Sequence, residues 1–268
     1  MSDPAVSVLM AVRDGAPWVA EAVASVLGQT AGDLELIVID DGSTDATPEL
    51  LARVRDARLR VDRRAAAGLT PSLNRGLALA RAPLVARLDA DDLALPERLA
   101  RQGAFLAAHP EVGLLGGGVR ELDADGREVA VRVPPTQDGA LRAALIRRNP
   151  FAHSAVMVRR ALVERVGGYD ESVPVAQDYD LWMRLSRVTR LASLPEVVVV
   201  RRLLPARVSA TRDDARLHAE ARIRWRAVRG GDYPWWCAVY ALRPAAARAL
   251  PLALRRRMRR ALGGAAGA

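Results

Sequence analysis

Two apolar runs in this chain stop abruptly at clustered aspartates. Residues 34–39 (LELIVI) break into Asp40-Asp41-Gly42-Ser43-Thr44-Asp45, and residues 84–88 (LVARL) break into Asp89-Ala90-Asp91-Asp92. A short run without polar alternation reads as a strand buried on both faces, which places it in a parallel sheet covered by helices. Residues 5–12 (AVSVLMAV), bounded by Pro4 and Asp14-Gly15, form a third such run, and 58–61 read as a short strand. Helical spacing fills the intervals at 17–29, 46–55, 70–81 and 96–108. Pro17, Pro71 and Pro96 stand at helix starts, where a missing N–H costs nothing. Ser43 or Thr44 is placed to cap the helix near 46–55. Strand and helix alternating in this way imply parallel strands joined by crossover helices. The first 110 residues therefore read as a doubly wound α/β half.

The second half has a different rhythm. Strands are expected at 112–120 and 128–133 around a turn at Asp125-Gly126, then at 154–159 and 196–202. Helices are expected at 136–148, at 160–166 up to a Gly167-Gly168 stop, and at 178–188. Gly116-Gly117-Gly118 fits a close-packed turn or strand. The simplest organisation is one α/β unit over residues 1–210 and a helical, basic tail over 211–268.

Composition excludes several classes. A chain of 268 residues buries a core without staples, and the single cysteine, Cys237, excludes a disulfide framework or a cysteine-rich zinc module. No apolar run approaches the length of a membrane span, and the N-terminus lacks the basic segment of a signal peptide, so a cytoplasmic location is expected. All 40 cationic residues are arginine. Residues 1–200 hold 24 Arg against 27 acidic residues, while 201–268 hold 16 against 4. The basic character thus lies in the tail. With aromatics at 4% and no finger spacing or RNA-binding signature, no nucleic-acid partner is expected.

In an open α/β sheet, ligands bind beyond the carboxyl ends of the strands, where both acidic clusters fall. Three carboxylates within four residues repel unless they are solvated or share a cation. Hard oxygen ligands of this kind suit Mg²⁺ or Mn²⁺ bridging substrate phosphates. A solvated acidic loop ahead of a helix is the alternative for the same residues. There is no G-x-G-x-x-G loop and no Walker A motif after the first strand, so dinucleotide or triphosphate binding of the glycine-rich kind is not expected.

Eight segments in order carry a resemblance: VSVLMAVRDG, SVLGQT, ELIVIDDGSTD, GLTPSLNRGLALA, ARLDADDLALPERL, NPFAHSAVMVRR, VGGYDES and QDYDLWMRLS. Together they resemble the family 2 glycosyltransferases over roughly residues 5–210. The resemblance implies the GT-A nucleotide-diphosphosugar transferase fold, a mostly parallel central sheet flanked by helices, here with a C-terminal helical basic extension. It also implies inverting transfer of a sugar from a nucleotide-diphosphate sugar to an acceptor hydroxyl, with a Mn or Mg divalent cation as cofactor. The acceptor implied is a saccharide or a lipid-linked one, in surface polysaccharide or glycolipid synthesis.

Carried over position by position, Ala11 and Arg13 line the nucleobase pocket, although the family usually has other residues there. Asp41, with Asp40 beside it, resembles the carboxylate that accepts a hydrogen bond from base or ribose. Asn74 approaches the nucleotide from the next helix. Asp89-Ala90-Asp91 matches the D-x-D element, with Asp91 the metal ligand and Asp89 supporting ribose, metal or metal-bound water. His153 matches a histidine near the acceptor and diphosphate, and Arg202 an arginine that holds phosphate. Leu204 replaces the histidine that often follows. Asp178 matches the catalytic base; its neighbour Gln177 replaces a usual glutamate, which is expected to lower like-charge coupling and the pKa of Asp178.

The chemistry asks for the same parts: one base for the acceptor hydroxyl and a Lewis acid for the departing diphosphate. Two other readings stay open at this level. One is a nucleotidyltransferase, which also gathers carboxylates at strand ends. The other is a non-catalytic membrane-docking protein with a vestigial site. In the tail, tryptophans at one end and Arg255, Arg256, Arg257, Arg259 and Arg260 at the other suit peripheral contact with anionic lipid, or a helical lid packed on the domain.

Overall fold

The computed structural model describes residues 4–203 and 213–242. Four strands, β1 (Val6–Val12), β2 (Leu34–Asp41), β3 (Leu59–Arg64) and β4 (Leu84–Arg87), pair in parallel in the order β3-β2-β1-β4. The crossovers between them are α1 (Val19–Leu27), α2 (Thr47–Arg53) and α3 (Leu69–Leu79). Every residue of β2 is buried, as its unbroken apolar run requires. The sheet continues beyond β4 through β8 (Met157–Arg159), β6 (Val112–Leu122), β9 (Arg190–Arg202) and the two-residue β5 (Leu93–Ala94). Along its length β6 changes partners on one side: Leu114 and Leu115 pair with β8, while Val119 to Leu122 pair with β7 (Glu128–Arg132). Helices α4 (Arg98–Ala108), α5 (Asp138–Leu145), α6 (Arg160–Arg165) and α7 (Gln177–Leu185) cover this half.

The sheet separates two cores. One holds the β1, β2 and β9 side chains that face α1 and α4; the other gathers Leu73, Leu141, Leu145, Phe151, Tyr179 and Trp182. α8 (Asp213–Arg229) belongs to the second core through Ile223 and Ala227, and Cys237 and Ala241 beyond it are buried as well. The Arg224 guanidinium donates to Tyr179 Oη at 3.1 Å, which ties α8 to α7. The glycines of β6 are spatial requirements: a Cβ on Gly117 would lie 2.4 Å from Val198, and one on Gly113 2.2 Å from Leu162.

Four local expectations are corrected. The strand expected at 154–159 starts at Met157, because His153–Ala155 turn as a single 3₁₀ unit that inserts Ser154 under the acidic loop. β9 begins at Arg190, not 196; Pro195 has no N–H to pair, and the register with β6 slips between Gly116 and Gly118 instead of ending. Neither Ser43 nor Thr44 caps α2. Ser43 Oγ accepts from Asp14 N (3.0 Å), Thr44 N donates to Asp14 Oδ1 (2.8 Å), and the Asp45 carboxylate takes Thr47 N (2.9 Å) instead. The helix expected over 136–148 is the shorter α5. The basic run Arg255–Arg260 and Leu204 lie outside the described residues.

Glu35 is a buried glutamate within an apolar strand, and its burial is matched by donors. It accepts from Ser7 Oγ (2.6 Å), Arg81 N (2.8 Å) and Arg81 Nε (2.9 Å), joining β1, β2 and the entry to β4. Burial pushes its pKa up, but these donors outweigh burial and hold it below the ordinary value. Because the folded pKa is depressed, its stabilisation is present above the unfolded pKa and fades as acid protonates it. Glu35→Ala is expected to cost about 2–3 kcal/mol at neutral pH in urea unfolding, with a smaller loss at acid pH.

Candidate active site

The acidic loop after β4 is built on a buried cation. Arg87, the last residue of β4, is 3% exposed. Its Nη1 donates to Ser154 Oγ at 3.1 Å, and its Nη2 forms an ion pair with Asp89 Oδ1. Burial works against this charge, but the Asp89 carboxylate outweighs it and the pKa rises. Beneath it Arg98, also buried, donates to the Arg87 and Val156 carbonyls (2.9 and 3.1 Å). Burial and the Arg87 charge bring the Arg98 pKa down to about 9, which leaves it cationic at neutral pH.

Above this floor sit Asp89, Asp91 and Asp92, each offering one oxygen within 4.8 Å of the others. Asp92 is fully buried; its Oδ2 accepts from Ser154 Oγ at 2.6 Å and its Oδ1 from the Arg202 backbone N–H at 3.2 Å. Ser154 Oγ also lies 3.0 Å from Asp89 Oδ2. One hydroxyl has one proton, so the shorter contact to Asp92 takes it. Asp89 and Asp91, unlike Asp92, are partly accessible. An all-carboxylate donor set of hard oxygens fits Mg²⁺ or Mn²⁺, with Asp91 and Asp89 as ligands and Asp92 as the anchor that shapes the loop.

Asp178 stands at the second position of α7. Its Oδ2 accepts from Asn149 Nδ2 at 2.7 Å. Burial raises its pKa above the ordinary value; the Tyr179 N–H, Asn149 and the Arg87 charge pull the other way, and Asp89 adds to the rise. Desolvation thus sets the direction of the Asp178 pKa; the lowering expected from Gln177 is relative to a glutamate at that position and acts on top of it. The residue before the helix, Ala176, holds a left-handed conformation (φ 60°), a strained backbone for a residue with a Cβ. Asp180, two positions on, turns away to Arg184 (2.7 Å) and Arg226 (3.1 Å).

His153 lies between Tyr169 and Trp182, its Nε2 2.8 Å from Tyr169 Oη. Burial, reinforced by the Arg87 charge, drives its pKa well below 6.5, so the ring is neutral. Arg202 brackets the acidic loop from the other side. Its Nη1 donates to the Asp91 carbonyl (3.1 Å), its Nη2 pairs with Glu21, and its guanidinium stacks 4.7 Å from the Trp18 ring centroid. The structure therefore gathers Asp89, Asp91, His153, Asp178 and Arg202 around Arg87 and Ser154.

The remaining sequence candidates line the neighbouring strand ends. Ala11 pairs with Ile39 and Val12 with Asp40, and Arg13 is exposed. Both oxygens of Asp41 accept backbone N–H groups, from Ala67 (2.7 Å) and Gly68 (2.9 Å), so this carboxylate staples the loop ahead of α3. Asp40 takes Ser43 N on Oδ1 at 2.9 Å, while its buried Oδ2 makes no hydrogen bond among the described residues but lies 3.4 Å from Arg63 Nε as an ion pair. Asn74 spends its amide on the 169–171 loop: Oδ1 accepts from Tyr169 N, and Nδ2 donates to the Tyr169 carbonyl (both 2.9 Å) and to Glu171 (3.0 Å). It holds Tyr169 in place.

Sequence reasoning did not single out Arg87, Asn149, Ser154 or Tyr169. A signal existed for Arg87, the one charged residue inside the apolar run LVARL. Asn149 and Ser154 sat within a recognised segment but carried no distinguishing pattern.

Residues 7–167 match the Glycosyl transferase family 2 profile. Among similar proteins is the amylovoran biosynthesis glycosyltransferase AmsE of Erwinia amylovora, 37% identical over 133 residues; the match covers 49% of this chain and 49% of that relative. The mannosyltransferase PcManGT from Pyrobaculum calidifontis, solved with GDP-Man and Mn²⁺, superposes with a TM-score of 0.65 at 24% identity, over 99% of this chain and 81% of that one. TarS 1–349 of S. aureus, solved with UDP-GlcNAc, gives 0.68 at 19% identity, over 83% of this chain and 66% of that one. The chain belongs to glycosyltransferase family 2, and its fold is the GT-A fold of those enzymes.

Arg87→Leu leaves Asp89 and Asp92 without their buried countercharge. It is expected to cost about 3–5 kcal/mol, measured by urea unfolding. Arg202→Ala, at a partly solvated position, should cost less than half of that in the same measurement.

Proposed function

We propose that this enzyme is a metal-dependent inverting glycosyltransferase that moves a sugar from a nucleotide-diphosphate sugar to an acceptor hydroxyl in surface-polysaccharide assembly. The observation that carries the reading is the pairing of two acidic features across Arg87. One is the partly accessible pair Asp89 and Asp91 at the end of β4; the other is a single carboxylate, Asp178, sharing its electrostatic environment from 87 residues beyond Asp91 in the chain. Names among the relatives, such as amylovoran biosynthesis, support the polysaccharide assignment.

The residues divide the work as follows. The buried Oδ2 of Asp40, held by the Arg63 guanidinium at 3.4 Å and without a hydrogen bond of its own among the described residues, is an acceptor for an N–H of the base, with Ala11 and Arg13 along the same strand end. Asp91 and Asp89 would hold the divalent cation, which when bound would supply positive charge to the leaving diphosphate. The Arg202 guanidinium, anchored on the Asp91 carbonyl and Trp18, adds fixed positive charge at the rim of the loop. Neutral His153, held by Tyr169, offers a ring nitrogen to the sugar or acceptor without adding charge. Asp178 takes the proton of the acceptor hydroxyl as the hydroxyl oxygen displaces the diphosphate at the anomeric carbon, which inverts its configuration. Burial raises the affinity of Asp178 for that proton, and Asn149 keeps the accepting oxygen oriented.

Asp178→Asn is expected to lower turnover by at least about a thousandfold while donor affinity stays within a few-fold. Asp91→Asn, or chelation of the wild type, is expected to abolish donor binding in calorimetry. Release of free nucleoside diphosphate supports the transfer reaction; release of pyrophosphate would replace it with nucleotidyl transfer. Because Asp178 must be ionised to act and its pKa is raised above 3.8, activity should fall on the acid side at a pH above that value. Asn149→Ala removes a bond that favours the ionised form and should move that limb to still higher pH.

A further inference from the structure

The segment after α8 is apolar on both of its faces. Residues 230–234 turn the chain, pinned by Arg187 on Asp232 (2.7 Å) and by Tyr233 Oη donating to the Arg142 carbonyl (3.2 Å). The helical stretch 235–242 that follows packs Cys237 and Ala241 into the core. Its opposite face carries Trp235 (83% exposed), Val239 (53%) and Leu242 (59%) at helical spacing, with Trp236 (54%) beside them. A helix on the surface of a water-soluble domain normally turns polar residues outward. Here the outward face holds two indoles and two aliphatic side chains.

The surroundings are cationic. Arg147 lies 5.7 Å from the ring centroid of Tyr240 in the same stretch; it and Arg148 are exposed, and neither makes an ion pair among the described residues. On the neighbouring α8, exposed Trp225 is flanked by exposed Arg222 and Arg229, three and four residues away. Tryptophan sits at the water–lipid boundary because its ring is apolar and its N–H is polar. Arginines beside it gain roughly 1 kcal/mol each near an anionic leaflet. A soluble acidic partner would meet the arginines but leave the indoles unexplained. A purely apolar partner would leave the cations desolvated.

We propose that the 235–242 face, with Arg147 and Arg148 beside it, docks this protein on an anionic phospholipid surface. Its consequence for the site is direct. Asn149 follows Arg148 and holds Asp178 at 2.7 Å, so docking through this face sets the base beside the bilayer. The inference stands apart from the catalytic reading, since vesicle binding is measured without turnover.

The test uses the full chain, because removing residues beyond 230 would strip Cys237 and Ala241 from the core. Vesicles of phosphatidylglycerol mixed with phosphatidylcholine are compared with phosphatidylcholine alone in co-sedimentation. Tryptophan quenching by brominated lipid reports insertion. The proposal expects binding to the anionic vesicles, weakening as salt shortens the Debye length, with quenching of indole emission. Trp235→Ser/Trp236→Ser should lower the partition about tenfold or more, with an unchanged melting temperature. Arg147→Gln/Arg148→Gln should reduce the preference for anionic lipid. Absence of binding, or binding that the tryptophan variant leaves intact, overturns it. So does a free protein whose Trp235 and Trp236 resist acrylamide: concentration-dependent dimerisation would then assign the face to a second copy, and its absence would assign it to residues 243–268 of the same chain.

Discussion

A guanidinium buried at the end of a central strand is the constraint on which the site depends. Three carboxylates with oxygens within 4.8 Å of one another, two of them within hydrogen-bonding reach of one serine, repel each other strongly in a low dielectric. Arg87 makes the arrangement tolerable, and Ser154 and the backbone of Arg202 fix which oxygen points where. The cost is a second buried cation, Arg98, whose own partners are carbonyls and a glutamine amide. The cluster is a compromise: enough positive charge to hold the loop in one shape, too little to neutralise it. That residual negative charge is what a divalent cation would find.

The same economy governs the proposed base. Asp178 owes its raised pKa first to burial, with the Asp89 charge adding to it. Its proton affinity comes from being enclosed by the 149–153 segment, Tyr169 and α7. Tyr169 is in turn fixed by Asn74 from the opposite half of the sheet. Residues that look like ligands in a sequence can therefore serve as supports once folded. Asp41 spends both oxygens on backbone N–H groups and Asn74 spends its amide on the Tyr169 backbone and the Glu171 carboxylate, and by doing so they shape the pocket they were expected to line.

Much of the parallel half was legible in the sequence because β1, β2 and β4 are largely apolar runs that stop at or close to an aspartate, and period separates them from the helices; only the charged, partly exposed β3 lacks that signature. The second half was harder for identifiable reasons. Pro195 broke the pattern of β9 without breaking the strand, since a slip in register absorbs its missing N–H. β5 is two residues long and has no period to detect. Ser154 looked like the start of a strand because the turn at 153–155 contains no glycine or proline. In the site, the aspartates were visible as clusters, whereas Arg87 and Asn149 act through contacts made across tens of residues, which spacing along the chain does not encode.

The sheet order sets a timetable for synthesis. β1 to β3 can pair as soon as they emerge, but the far side of β4 stays bare until β8 arrives about 70 residues later and wedges between β4 and β6. The acidic loop receives its last backbone donor only when residue 202 has left the ribosome. A nascent chain thus carries an unmated strand edge through about a quarter of translation, the interval in which wrong pairing with another chain would be most damaging. Strain, pausing or chaperone capture acting in that window would govern yield more than any property of the finished fold.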